Sequence, residues 1–182
     1  RTDSKTLDLY SRDASLFEIR PQVVVSPKDS KDIQAVVKFV ASHKKSHPEL
    51  GITVRSGGTD MSGGAIGESI ILDVTKHLNK IKGVSLSKSG GYAVVEPGVF
   101  YRDFERETLK TRLVMPSFPA SREICTVGGM VANNAGGENT LSYGKVEDYV
   151  ERLKVILNDG KEYTFSSVSK NDLAKKLKLK DA

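Results

Sequence analysis

The chain of 182 residues has one cysteine, Cys125, so no internal disulfide can hold it, and that count is compatible with a reducing compartment. No apolar run approaches the roughly 20 residues that cross a bilayer, and no leader of the secretory type opens the sequence. These absences predict a soluble, cytoplasmic protein. Histidine is scarce, at three residues. His43 and His47 share a helical face, but that stretch runs into Pro48, so a solvated helix end is expected there and no metal site. The pattern for nucleic-acid binding is missing too. The net charge is +5, yet much of the excess lies between Lys170 and Lys180, and no aromatic residues interleave with the basic ones to stack bases. That tail reads as a solvated face with a short apolar edge of Leu173 and Leu177.

What remains is globular, with 38% hydrophobic and 28% charged residues. A chain of this length buries roughly 70% of its extended surface, enough for one well-formed core. Its informative feature is a pair of glycine-rich segments. The first runs Arg55-Ser56-Gly57-Gly58-Thr59-Asp60-Met61-Ser62-Gly63-Gly64-Ala65, directly after the β-rich Ile52-Thr53-Val54. The second runs from Thr126 through Gly128, Gly129, Ala132, Asn133 and Asn134 to Gly136 and Gly137. Backbone without side chains lets amide N–H groups approach a phosphate, and hydroxyls such as those of Thr59 and Ser62 add donors. Two such segments in one domain suggest a large diphosphate ligand gripped from two sides.

The common phosphate motifs are excluded by their own mechanics. A Walker loop needs Lys and then Ser or Thr after its last glycine, and Ala65 and Ile66 stand there instead. A Rossmann turn opens a helix, but Gly67 and Ser69 interrupt any helix, and Ile70 to Val74 reads as a strand. The first segment is therefore expected to connect strand to strand.

The rest of the chain reads as α+β. Val23-Val24-Val25 is a strand, Ser30 to Lys44 an amphipathic helix capped by Asp29-Ser30, and Ile52 to Arg55 and Ile70 to Val74 complete a small βαββ unit. From Gly83 the texture changes. Val84 to Ser87 and Tyr92 to Glu96 form a hairpin turning at Gly90-Gly91, Phe100 to Lys110 a helix carrying Phe100, Phe104 and Leu109, and Val150 to Asn158 with Glu162 to Phe165 a second hairpin. Two subdomains follow, about 1–82 and 83–182, with the ligand in the crevice between them. Leu113 to Gly144 is long for a connection and therefore reads as functional, with Pro116-Ser117-Phe118-Pro119 pinning it.

Taken together, Pro21 to Pro27, the Arg55 to Ala65 loop, Glu96-Pro97-Gly98-Val99, Thr126 to Gly137 and Tyr143-Gly144 resemble the PCMH-type FAD-binding domain of the vanillyl-alcohol oxidase superfamily. Within it the likeness is to the FAD-linked oxidases of the glycolate oxidase and D-lactate dehydrogenase branch, over roughly residues 10 to 165. The resemblance implies FAD, with its pyrophosphate against Arg55, Ser56, Gly57, Gly58, Thr59, Asp60, Met61, Ser62 and Gly63. It places the isoalloxazine end near Pro116, Ser117, Thr126, Gly128, Gly129, Ala132, Asn133, Asn134, Gly136, Tyr143 and Gly144. Thr59 stands where branches with covalent flavin carry His, so non-covalent FAD is implied.

Several side chains keep two readings. Arg55 either complements the diphosphate or pairs with a surface carboxylate. Asn133 and Asn134 cap the short helix begun at Gly128 and Gly129, hydrogen-bond the flavin, or do both. Tyr143 lies near the isoalloxazine or is a buried tyrosine with a satisfied hydroxyl. Cys125 reads as small buried packing.

The implied reaction is hydride transfer from a small D-2-hydroxy acid to the flavin, with an unidentified electron acceptor. The substrate-handling groups of the family lie in a later cap domain, so no catalytic residue is assigned here and the chain is expected to be part of a longer protein. The resemblance extends to some peripheral relatives in the lactate branch, which leaves docking at the inner membrane face open. Alternatives are a non-catalytic nucleotide-diphosphate or partner-binding module, and a UDP-N-acetylenolpyruvoylglucosamine reductase-like enzyme.

Overall fold

The computed structural model describes residues 1–87 and 90–179. The first unit is a parallel sheet of β1 (Val23–Val25), β2 (Ile52–Arg55) and β3 (Ile70–Asp73) in the order β1-β3-β2. The register pairs Val24 with Ile71 and Val54 with Leu72. All four β3 residues are buried, as expected of the central strand of a parallel sheet. A short helix, α1 (Ser4–Leu9), capped by Asp3, packs Leu7 against Val24 and Ile71 to make a small core. Between β1 and β2 runs α2 (Ser30–His43), whose Asp29 carboxylate accepts from the amides of Lys31 and Asp32. None of its residues is fully buried. The expected βαββ unit is thus present, and β2 passes to its neighbour β3 through residues 56–69 with no helix in between.

The second unit holds the larger core. Its hairpin of β4 (Ile81–Ser87) and β5 (Gly90–Val95) begins just before the change of texture expected at Gly83. Gly90 is already in β5, and the connecting residues 88–89 lie outside the described residues, as does Lys180 of the basic tail. Helix α3 (Tyr101–Leu109) buries Tyr101 and Phe104, while Leu109 is 52% exposed. Tyr101 and Phe104 join Val99, Phe118, Cys125, Met130, Ala135 and Val146 in one cluster, with the Tyr101 and Phe118 rings 5.3 Å apart. The long segment after α3 is folded rather than open. It contains α4 (Val127–Ala132) and α5 (Thr140–Tyr143), followed by a 3₁₀ turn at Val146–Tyr149.

The second hairpin pairs β6 (Arg152–Ile156) with β7 (Glu162–Ser166), and α6 (Lys170–Lys176) follows it. The antiparallel part of this unit therefore comes as two separate two-stranded hairpins. No described helix is long and apolar enough to cross a membrane.

Candidate functional site

The first glycine segment leaves β2 at Arg55 and is organised from within by Asp60. The Asp60 Oδ2 accepts from Gly64 N at 2.6 Å, Ser62 Oγ at 2.9 Å and Ser62 N at 3.0 Å. These bonds, that from Gly64 first, hold the Asp60 carboxyl below the usual carboxylate range. Ser62, expected to donate to a phosphate, thus gives both its hydroxyl and its amide to a neighbour. Gly58 takes φ of 65°, a left-handed turn open to glycine. The consequence lies in what is left over. Among the described residues, the main-chain N–H groups of Gly57, Gly58, Thr59, Asp60 and Met61 find no protein acceptor. Five successive main-chain donors are thus free to bond a ligand or solvent, and such donors suit an anion.

The second segment uses its glycines differently. The Thr126 hydroxyl caps α4 by accepting from Gly129 N at 3.3 Å, while Gly128 N donates to Pro97 O at 2.9 Å and Val127 N to Val99 O at 2.8 Å. These amides are already bonded within the protein. The cap is therefore Thr126, whereas Asn133 is the exposed C-cap residue and the Asn134 Oδ1 accepts from Glu147 N at 3.0 Å. Ala132, beside them, is exposed. Ser117 is buried and its hydroxyl donates to Gly144 O at 3.1 Å, while Pro116 O accepts from the Asn139 side chain at 3.3 Å. Gly136 packs against Thr140. Tyr143 is 54% exposed, which removes the buried-tyrosine reading, and its carbonyl accepts from Tyr149 Oη at 2.7 Å.

The two segments touch. A methyl group added at Gly57 would collide with the Ile124 carbonyl oxygen, and one added at Gly129 would lie 2.6 Å from Ser56 Oγ. A cavity of about 490 Å³ opens at this junction, lined by Tyr10, Arg55, Ser56, Gly57, Arg102 and Ile124 among others. Of the residues read from the sequence it takes in Arg55, Ser56 and Gly57. Tyr10 and Arg102 were not foreseen, because nothing in their local sequence marks them.

Arg55 lies half-buried with its guanidinium 5.2 Å from the centre of the Tyr10 ring and Nη1 3.4 Å from the Ala65 carbonyl, and burial lowers its pKa. Arg102 lies 4.4 Å over the Phe100 ring and donates to the Glu123 carbonyl. Among the described residues neither arginine is ion-paired, so the surface pairing considered for Arg55 is not made. Positive charge and unpaired amides together favour an anion. Cys125, next to the junction, is buried at 3% exposure, and desolvation pushes its thiol pKa up. Helix α2 ends at His43, so His47 lies beyond it and the helical face expected to carry both histidines is not formed; His47 is exposed 3.2 Å from Glu49. No group of described His, Cys, Asp and Glu residues is placed to hold a metal.

A strand-to-strand glycine crossover gripped against a second subdomain defines the class of fold, a two-subdomain nucleotide cradle. Residues 21–166 match the FAD binding domain family, and the chain belongs to that family, whose cofactor is FAD. It is 32% identical over 152 residues to D-2-hydroxyglutarate dehydrogenase of Escherichia coli (strain K12), covering 82% of this chain and 14% of that protein. It is 35% identical over 141 residues to D-lactate dehydrogenase of Archaeoglobus fulgidus, covering 76% of this chain and 30% of that protein. The chain thus spans less than a third of the length of these curated relatives. In the solved structure of alkyldihydroxyacetonephosphate synthase the same fold recurs, with a TM-score of 0.75 at 18% identity over 95% of this chain and 34% of that one. The residues present suit the diphosphate part of FAD, because the unpaired amides of 57–61 and the Arg55 guanidinium lie on one loop.

Proposed function

We propose that this chain is the cofactor-holding part of a longer flavin-dependent dehydrogenase acting on a small D-2-hydroxy acid, with two subdomains meeting near residue 82. The observation that carries the reading is the row of five unpaired amides at Gly57–Met61 beside the unpaired Arg55. They would hold the diphosphate of FAD, with the Thr59 hydroxyl adding a donor. FAD supplies hydride-accepting chemistry, while the protein's task is to bind, orient and shield it. Thr59 has no nucleophilic ring nitrogen to form a flavin bond, which supports non-covalent attachment. The relatives named for D-2-hydroxyglutarate and D-lactate support a substrate with a carboxylate beside a secondary alcohol. The groups that would bind that substrate, and the electron acceptor, belong to the longer protein. The lone buried thiol of Cys125 supports a reducing, cytoplasmic setting.

The test is reconstitution of the longest version of the protein with FAD. The expected result is a yellow protein absorbing near about 450 nm that releases FAD on denaturation. A preparation that stays colourless after soaking in FAD refutes the reading. Colour that stays with the denatured polypeptide refutes non-covalent attachment.

A further inference from the structure

Asp60 ties its own side chain to Ser62 and Gly64, but the amides of 57–61 have no protein acceptor, and backbone entropy favours disorder in a stretch without such bonds. Residues 10–17 lie against it. Ala14 N donates to Gly58 O at 3.0 Å, and Asp13 Oδ2 accepts from Ala65 N at 3.4 Å. The Phe17 ring stands against Gly63, where an added Cβ would come within 3.0 Å. The loop is thus held at Gly58 and again at Gly63 and Ala65, and the residues between are spanned from both sides.

This segment is itself anchored. Ile19 N donates to Ser11 O at 2.9 Å, closing it into a turn, and Asp13 Oδ1 accepts from Ser15 N at 2.8 Å. The Tyr10 hydroxyl donates to Asp73 Oδ2 at 2.8 Å. Asp73 ends β3, is buried at 3% exposure, and uses its other oxygen to accept from Thr75 N and Thr75 Oγ1 at 2.8 and 2.7 Å. The Tyr10 ring carries Arg55, the last residue before the loop. The segment therefore touches the strand before the crossover, the strand after it, and the crossover itself.

We infer that residues 10–17 form a positioning strap that holds the glycine loop in its diphosphate-ready shape before the cofactor arrives. The strap lies ahead of the matched family residues, which begin at 21. Its effect is to remove the ordering cost that a mobile loop would charge against binding. The inference rests on the FAD reading of the loop, but the order of the loop is measurable without FAD.

The test compares the unaltered chain with the double variant Tyr10→Phe/Asp13→Ala and with Phe17→Ala. Backbone ¹⁵N relaxation without ligand reads order parameters at residues 57–61, and FAD titration reads affinity. The unaltered loop is expected near the rigid value of about 0.85, and the variants below about 0.6. FAD binding weakens at least tenfold, the cost of ordering even one of these five backbone residues on binding. Order parameters in β6 and β7 stay unchanged, which separates a strap from general destabilisation. Unchanged order at 57–61 in both variants overturns the inference, as does a loosened loop that binds FAD as tightly as before. If the longest version of the protein takes up no FAD, the cofactor reading is overturned instead, and the order parameters alone then decide for or against the strap.

Discussion

Replacing Gly57 by alanine tests whether the two glycine segments are built to touch. The new Cβ collides with the Ile124 carbonyl oxygen and lies 3.4 Å from Cys125 Cα. That carbonyl has little freedom to swing aside, because the backbone around it is tied. Cys125 N donates to Ser121 O at 2.8 Å, Tyr101 N to Cys125 O at 3.0 Å, and Val127 N to Val99 O at 2.8 Å. The strain goes into the junction, which opens by about an ångström to restore ordinary contact. Overpacking of this kind costs about 1–3 kcal/mol. At about 2 kcal/mol, a domain of this size loses about 4–8 °C in Tm by calorimetry. The same shift displaces the first of the unpaired amides, and one charge-assisted bond to phosphate is worth about 1.5–3 kcal/mol, so flavin-fluorescence titration is expected to show FAD binding weakened at least tenfold. Gly51→Ala is the control. Nothing lies within 4 Å of its new Cβ, so it is neutral or gains about 0.4–1 kcal/mol from the stiffer unfolded chain. If the two variants melt together and take up FAD equally, the contact between the segments is not tight and the argument fails.

Three other outcomes follow from the same site. Arg55→Gln removes the unpaired charge beside the loop, so FAD affinity falls about tenfold and depends less on salt; equal affinity and equal salt slopes would assign the charge no part in binding. Cys125, buried and with its thiol pushed up, resists thiol reagents at about pH 8 in the native protein and reacts once unfolded, as mass spectrometry will show. Asp60 has a folded pKa below its ordinary 3.8, so its contribution to the turn is present above that value and is lost as acid takes the pH down through the depressed value. The Gly64 amide resonance should accordingly titrate with a midpoint below 3.8; a midpoint at or above it contradicts the bond.

The elements with strong local patterns were legible in the sequence. The Val23-Val24-Val25 run, the Asp29 cap with its apolar spacing, and the alternation around Val84 and Val94 each reflect a local rule that packing reinforced. The crossover from β2 to β3 without a helix was legible too, because Gly67 and Ser69 sit where a Rossmann helix would have to run. Elements that depend on distant partners were not. Helix α1 is six residues long, too short to show a period, and it exists because Leu7 meets Val24 and Ile71. Tyr10 finds Asp73 across 63 positions of sequence, and no window-sized pattern carries that. Leu109 is exposed at the end of α3; helical spacing marks a face but does not say how far the core extends beneath it.

The glycine segments show why residue type alone cannot assign a role. In both, glycines stand where a side chain would strike protein atoms, but the fate of the main-chain amides differs. Around Gly58 the backbone turns left-handed over the Arg55 guanidinium, with Gly57 against Ile124 and Gly63 against Phe17, while the five amides of 57–61 keep no protein acceptor. Around Gly128 and Gly129 every relevant amide already has an acceptor in Pro97 or Thr126, and the missing side chains make room for Ser56 and Pro97. The second segment thus serves the first by letting it come close. Only where each N–H goes separates the two uses, and the unpaired amides of the first loop support the proposal that it holds the diphosphate, with the second segment packed against it.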